Sequence, residues 1–172
     1  MVESPFDEAF PEYQLKVIRE GNETVVTAFV DQPAEHAYRM FCDPDHLTEW
    51  LFVVGTVVVT ERDAHRRPLE IDFMGSLERA SVSYTLCYEY DDKLREVRWH
   101  QERGTPKQLM GSARFQAEGP GCRLTYRLVA ELPTHLPPWS DELYRERPAE
   151  TVVLDFCEWL QARTAAGDST PG

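Results

Sequence analysis

The sequence has few of the features that mark membrane or secreted proteins. Its longest apolar run extends from Trp50 to Val59, about half of the roughly 18 residues that a membrane-spanning helix needs, and Gly55 and Thr56 interrupt it. The N-terminal residues Met-Val-Glu-Ser-Pro-Phe contain neither a basic segment nor an apolar stretch, so they predict no secretory signal. We therefore expect a cytoplasmic protein without stable membrane insertion.

Motifs for metals, cofactors and nucleophilic catalysis are also lacking. The four cysteines stand far apart, with no C-x-x-C pair and no histidine at ligand spacing: Cys42, Cys87, Cys122 and Cys157. We expect free thiols, no bound metal and no cofactor. A Ser-His-Asp order, a Gly-rich phosphate loop and an H-E-x-x-H motif are absent, so no catalytic residue is assigned and enzymatic activity is left open.

Positive charge is scarce. The chain of 172 residues has 18 Lys and Arg against 30 Asp and Glu, a net charge of −12. This balance would repel nucleic acid and anionic membranes, whereas it permits a basic protein partner. The length corresponds to one domain, and 42% hydrophobic with 28% charged residues is typical of a folded globular chain.

The hydrophobic pattern predicts strands, with helices near both ends. A β-branched and aromatic run over 23–31 predicts a first strand, and two short helices follow over 34–41 and 45–50. Six further strands are separated by short, turn-rich connections, as antiparallel hairpins require: 53–61, 68–74, 82–90, 96–102, 109–117 and 123–131. A long amphipathic helix is predicted from Pro148 to Arg163.

Period-two alternation gives the predicted sheet one dry, aromatic face. Large aromatic residues on this face are interrupted by small ones, namely Ala28, Gly111, Ala113, Ala117 and Ala130. Two interpretations stay open. The small residues leave a void between the sheet and the last helix, with phenol hydroxyls as its polar groups, or the face packs into a dense aromatic core.

Two segments resemble a known superfamily. The stretch Ala28 to Asp43, AFVDQPAEHAYRMFCD, is similar to the opening strand, proline turn and first helix of START-like (SRPBCC) proteins, and Leu47 to Trp50, LTEW, is similar to their second helix. The resemblance implies the helix-grip fold. In this α+β fold, a seven-stranded curved antiparallel sheet, with two short helices after strand 1, wraps around a long C-terminal helix. We expect an irregular arm over 1–20, one domain over 21–165 and a flexible tail over 166–172.

The resemblance also implies a deep pocket between the sheet and the last helix. The aromatic inner positions then become candidate ligand-binding residues: Tyr84, Tyr88, Trp99, Phe115, Tyr126 and Phe156. His135 and Trp139 lie in a Pro-rich connection that falls near the pocket mouth in this fold, where Trp139 and Tyr144 could form an aromatic gate. The alternative for Trp139 is that it plugs the end of the core.

Three functions follow as hypotheses. The first is the binding of a hydrophobic or amphipathic small molecule, such as a lipid, a polyketide or an aromatic compound. The second is a polyketide cyclase or dehydratase of the aromatase type, which the resemblance suggests. The third is a protein-interaction domain of the co-chaperone type, and a homodimer is left open as an assembly state.

Overall fold

The computed structural model describes residues 11–51, 56–77, 80–104, 108–131 and 148–167. The strands are β1 Lys16–Glu20, β2 Glu23–Val30, β3 Thr56–Arg62, β4 Pro68–Leu77, β5 Ala80–Asp91, β6 Glu96–Gly104, β7 Gln108–Glu118 and β8 Gly121–Glu131. The helices are α1 Ala34–Cys42, α2 Leu47–Trp50 and α3 Pro148–Gly167, with 3-10 turns at Pro11–Tyr13 and Pro44–His46.

The described strands form one antiparallel sheet of eight strands in the order β1-β2-β8-β7-β6-β5-β4-β3. Seven were expected, and the additional one, β1, lies in the arm for which irregular structure was predicted. That prediction is wrong for Lys16–Glu20, which pairs with β2. Only Val17 of this strand is buried, so its own pattern gave too weak a signal, and pairing with β2 holds it in the sheet.

The early helices begin and end as the turn residues predict. Pro33, with φ of −56° and ψ of 140°, precedes α1, and its carbonyl accepts from the backbone N–H of Ala37 at 3.0 Å. Asp43 ends the helix in an extended conformation, and its carboxylate then accepts from the N–H of Asp45 at 3.0 Å. The buried face of α1 is directed onto the sheet.

The dry face of the sheet is the one that alternation predicts. Ile71 and Phe73 are 1% and 2% exposed, and Val97 is buried, whereas Arg98 and Arg127 on the opposite face are exposed. Register places Tyr126 beside Ala113, Ala113 beside Val97 and Val97 beside Tyr90 across four neighbouring strands. The concave face therefore brings aromatic residues of distant sequence position together.

Helix α3 covers the concave face on one side. It packs mainly against β2 and β8 of the sheet and against α1 and α2. Val153, Phe156 and Leu160 are almost wholly buried in this interface. The helix thus lies over the half of the sheet that contains β2 and β8, away from β4 and β5.

A buried ion pair joins the first turn of α3 to the edge strand β1. Both carboxylate oxygens of Glu150 accept from the Nη2 of Arg19. The Glu150 side chain is 1% exposed and that of Arg19 is 35% exposed. A buried carboxylate needs such a partner, because an unpaired charge in the interior costs several kcal/mol.

Neutralising Glu150 should therefore destabilise the protein. We expect Glu150→Gln to lower the free energy of unfolding by about 1–3 kcal/mol, since the partly exposed Arg19 retains some solvation. Denaturant titration measures this change. Glu158→Gln is the matched control, because Glu158 is exposed on the same helix. Partial desolvation and nearby carboxylates raise the pKa of Glu158, so its neutralisation should not lower the free energy of unfolding. Equal losses in both variants would contradict a role for the ion pair.

Candidate functional site

The concave face contains a closed aromatic cluster beneath α3. The ring of Phe41 lies 5.1 Å from that of Phe156, 5.4 Å from that of Trp50 and 5.7 Å from that of Phe115, measured between centroids. Phe115 and Phe156 have no exposed surface. The structure therefore places these two candidate residues within packed core, where they border no open space.

Small inner residues do not by themselves create space. A Cβ on Gly111 would lie 2.7 Å from Cζ2 of Trp99, because the indole ring of β6 lies across the backbone of β7. Ala28 and Ala113 are fully covered as well. At these three positions the dense-core interpretation is the correct one, since neighbouring large side chains take the room that the small ones leave.

Accessible surface on the inner face lies instead at the tyrosines of β5, and from it we infer open space beside them. Tyr84 and Tyr88 are only partly buried although they face the interior, and Tyr84 stacks on Phe73 with centroids 5.1 Å apart. Leu109 on the central strand β7 is partly exposed too, although its side faces inward. Interior residues of central strands keep accessible surface only where the concave face is not filled.

Three phenol hydroxyls in this region have no hydrogen-bond partner among the described residues. They belong to Tyr84, Tyr88 and Tyr126. Tyr84 and Tyr88 are partly exposed and Tyr126 is 5% exposed, whereas the indole nitrogen of Trp50 is buried without a partner among the described residues. Trp99 lies between them, with ring centroids 6.4 Å from Tyr88 and 5.6 Å from Tyr126. The structure thus brings together four of the candidate residues.

Burial tunes these phenols toward the neutral form. It raises the pKa of Tyr84, Tyr88 and Tyr126 above the usual value of about 10, because a phenolate loses hydration inside the protein. For Tyr88 the neighbouring phenols add to the rise in pKa. Cys42 borders the same interior, and burial likewise raises the pKa of its thiol. These groups are therefore hydrogen-bond donors, and none of them is an anion at neutral pH.

A polar network that sequence reasoning missed lies at one end of this face. Arg67 donates through Nε to Asp63 at 2.9 Å and also pairs with Asp92, which accepts from the hydroxyl of Tyr38 at 3.0 Å. Its guanidinium lies 4.3 Å from the centroid of the Tyr90 ring. The network joins α1 to the β3–β4 and β5–β6 turns, and its single guanidinium pairs with two carboxylates.

A second missed cluster ties α2 to α3. Glu49 accepts from the indole Nε1 of Trp159 at 3.1 Å, and its Oε2 lies 2.9 Å from Nδ1 of His46. Arg163 lies against Trp159, 5.5 Å from the ring centroid. These residues lie on the solvent side of the two helices, so they position the cover of the concave face and do not line it.

The predicted mouth residues His135 and Trp139, and the gate residue Tyr144, lie outside the described residues. Their proximity to the open space stays a prediction. Within the described ranges, no helix combines the length and hydropathy that crossing a membrane requires.

The buried phenols predict a loss of stability in alkali. The pKa values of these phenols are higher in the folded than in the unfolded protein. Their contribution to the free energy of unfolding is therefore complete below about pH 10, where tyrosine in the unfolded chain ionises, and is lost as the pH rises further. We expect the free energy of unfolding to fall above about pH 10. The combined Tyr84→Phe, Tyr88→Phe and Tyr126→Phe variant should fall less steeply, by up to about 1.4 kcal/mol per pH unit for each phenol removed. Parallel slopes for both proteins would contradict this assignment.

Comparison with known proteins adds information on the fold. No protein-family model matches this sequence, and no curated protein is recognisably similar to it. Among solved structures, a protein of Thermus thermophilus is 23% identical, with a TM-score of 0.65 over 86% of this chain and 99% of its own. A START superfamily protein of Mycobacterium smegmatis is 15% identical, with a TM-score of 0.66 over 80% of this chain and 98% of its own.

An aromatase/cyclase, Zhui of Streptomyces sp. R1128, is 16% identical, with a TM-score of 0.61 over 89% of this chain and 98% of its own. Identities this low establish architecture and leave activity open. The strand order, the two short helices after the first long strand and the terminal helix agree with the architecture that the sequence predicts. The chain has the START-like helix-grip fold.

Proposed function

We propose that this protein binds one hydrophobic or amphipathic small molecule in the open space on the concave face of the sheet. The observation that carries the proposal is the set of three phenols without a hydrogen-bond partner among the described residues, those of Tyr84, Tyr88 and Tyr126, on a face that is apolar apart from a few residues such as Gln101. Small-molecule sites combine apolar walls with a few polar groups that fix orientation. The ligand would be a lipid, a polyketide or an aromatic compound.

The distribution of packing supports this location. Beneath α3 the rings of Phe41, Phe115 and Phe156 contact each other and fill the interior, whereas Tyr84, Tyr88 and Leu109 keep accessible surface. A ligand in that region would bury apolar surface at roughly 25 cal/mol per Å². We place Trp99 in the wall, and His135 and Trp139 at the mouth, as the resemblance to START-like proteins implies.

A second candidate is a cyclase or dehydratase that acts on a poly-keto chain. It is favoured by the phenols, since neutral donors can stabilise the negative charge that develops on a carbonyl oxygen during aldol closure. The solved structure of an aromatase/cyclase shares the fold. Proton abstraction also needs a base, and in the described part of the concave face the carboxylates of Asp63, Asp92 and Glu150 are all occupied by arginine. Binding is therefore the better-supported function.

A pair of neighbouring substitutions tests the location of the ligand. Leu109 faces the open space, whereas Met110 lies on the outer face and is 42% exposed. We expect Leu109→Trp to fill the space and to weaken binding of the neutral naphthyl ketone fluorophore prodan by about tenfold or more, about 1.4 kcal/mol. Met110→Trp should leave the affinity unchanged.

Emission shift against protein concentration gives both dissociation constants, and thermal unfolding confirms that both variants are folded. If the folded wild-type protein shows no saturable binding of any apolar probe, or if both variants bind like wild type, the proposed site is wrong. Native mass spectrometry of the purified protein adds a check for a ligand carried through purification.

The two candidate functions are distinguished by whether an added poly-keto thioester is recovered unchanged. A binding protein releases a poly-keto thioester unchanged, whereas a cyclase converts it to a ring-closed product and water. We expect mass spectrometry after incubation with such a thioester to recover the starting compound at the rate of the protein-free control. Ring closure that is accelerated by wild type and slowed in a Tyr84→Phe, Tyr126→Phe double variant would favour the enzyme.

A further inference from the structure

We infer that the pocket selects uncharged molecules that carry a carbonyl-type acceptor oxygen, which Tyr84, Tyr88 and Tyr126 recognise as donors, and that it rejects carboxylates. This inference rests on the binding function proposed above and specifies its ligand class.

The hydrogen bonding of the described tyrosines separates into two groups. Three hydroxyls have partners within the protein: Tyr13 donates to Gln161 at 2.6 Å, Tyr38 to Asp92 at 3.0 Å and Tyr90 to the carbonyl of Pro68 at 2.5 Å. The other three, on Tyr84, Tyr88 and Tyr126, have none among the described residues, and Tyr84 and Tyr88 are partly exposed while Tyr126 is 5% exposed. The unpartnered hydroxyls are those that face the open space.

An unpartnered phenol in an apolar region carries an unused donor. Leaving such a group without an acceptor once water is removed weakens binding. An apolar hydrocarbon ligand would displace water from these hydroxyls without replacing its hydrogen bonds. A ligand with a ketone, ester or quinone oxygen restores them, so the site discriminates in favour of acceptors.

The same site disfavours anions. A buried carboxylate needs a cationic partner, and in the described part of the concave face both arginines are already committed. Arg67 is paired with Asp63 and Asp92, and Arg19 is paired with Glu150. The net charge of −12 adds a general repulsion. Among the described residues the site offers neutral donors and no free cation, a combination that recognises a polar but uncharged group.

The donors come from both sides of one aromatic residue. Tyr84 and Tyr88 project from β5 and Tyr126 from β8, with Trp99 of β6 between Tyr88 and Tyr126. Because these strands belong to one hydrogen-bonded sheet, the donor positions are fixed before a ligand arrives. Preorganised donors lose little entropy on binding, which favours affinity for a rigid carbonyl compound.

Three naphthalene probes of similar shape test the inference: acetylnaphthalene as the ketone, isopropenylnaphthalene as the hydrocarbon and naphthoate as the anion. We expect the ketone to bind wild type and naphthoate to bind at least about tenfold more weakly. In the combined Tyr84→Phe, Tyr88→Phe and Tyr126→Phe variant the ketone should lose about tenfold in affinity, whereas the hydrocarbon should lose none. The infrared carbonyl stretch of the bound ketone should shift to lower frequency in wild type and not in the variant.

Tyr38→Phe is the matched control, because the Tyr38 hydroxyl is already bound by Asp92 and its loss should leave ketone affinity unchanged. The single Tyr→Phe variants provide the same comparison if the triple variant does not fold. If all three probes bind wild type equally, or if ketone affinity survives the triple substitution, the inference is overturned while the binding function stands. If no probe binds, the proposed function fails as well.

Discussion

The width of a single helix limits how this sheet can be covered. An α-helix with its side chains is roughly 10–12 Å across and neighbouring strands lie about 4.8 Å apart, so one helix covers about two strands. α3 does so at β2 and β8. The short helices α1 and α2 extend the cover over β7 and toward β3. An eight-stranded concave face is wider than these described elements together, and the part that they leave uncovered contains Tyr84 and Tyr88 of β5.

Because the sheet is wider than the helices that cover it, its concave face has a densely packed part and a part that keeps accessible surface. Under the helices, Phe41, Trp50 and Phe156 interlock and leave no accessible surface on the rings at the centre of the cluster. Beside them, residues of similar size on β5 keep surface because no helix of the described chain presses on them closely. The difference lies in the opposing layer, since both regions are aromatic in sequence. Packing density is thus a property of the pairing of layers and not of residue type.

This explains which features could be predicted from sequence. Strands β4 to β8 alternate strongly, so their faces and approximate bounds follow from period two alone. The segment Lys16–Glu20 buries one side chain, and its strand conformation depends on pairing with β2. The position of the Trp99 ring over Gly111 is decided by a side-chain rotamer, and the ion pair of Arg67 with Asp92 joins residues of separate turns. Neither has a local signature, so the open and the filled parts of the face could not be distinguished beforehand.

The phenols also connect binding with stability. A ligand that excludes water from these hydroxyls removes their hydrogen bonds to water, so a suitable ligand should stabilise the protein both by filling apolar space and by supplying an acceptor. A ligand without an acceptor can supply only the first of these gains. The arrangement of Tyr84, Tyr88 and Tyr126 therefore makes the stability of the bound protein depend on the chemistry of its ligand as well as on its size. Because Tyr84 and Tyr88 lie on β5 and Tyr126 lies on β8, which α3 covers, this dependence spans the boundary between the covered and the uncovered half of the sheet.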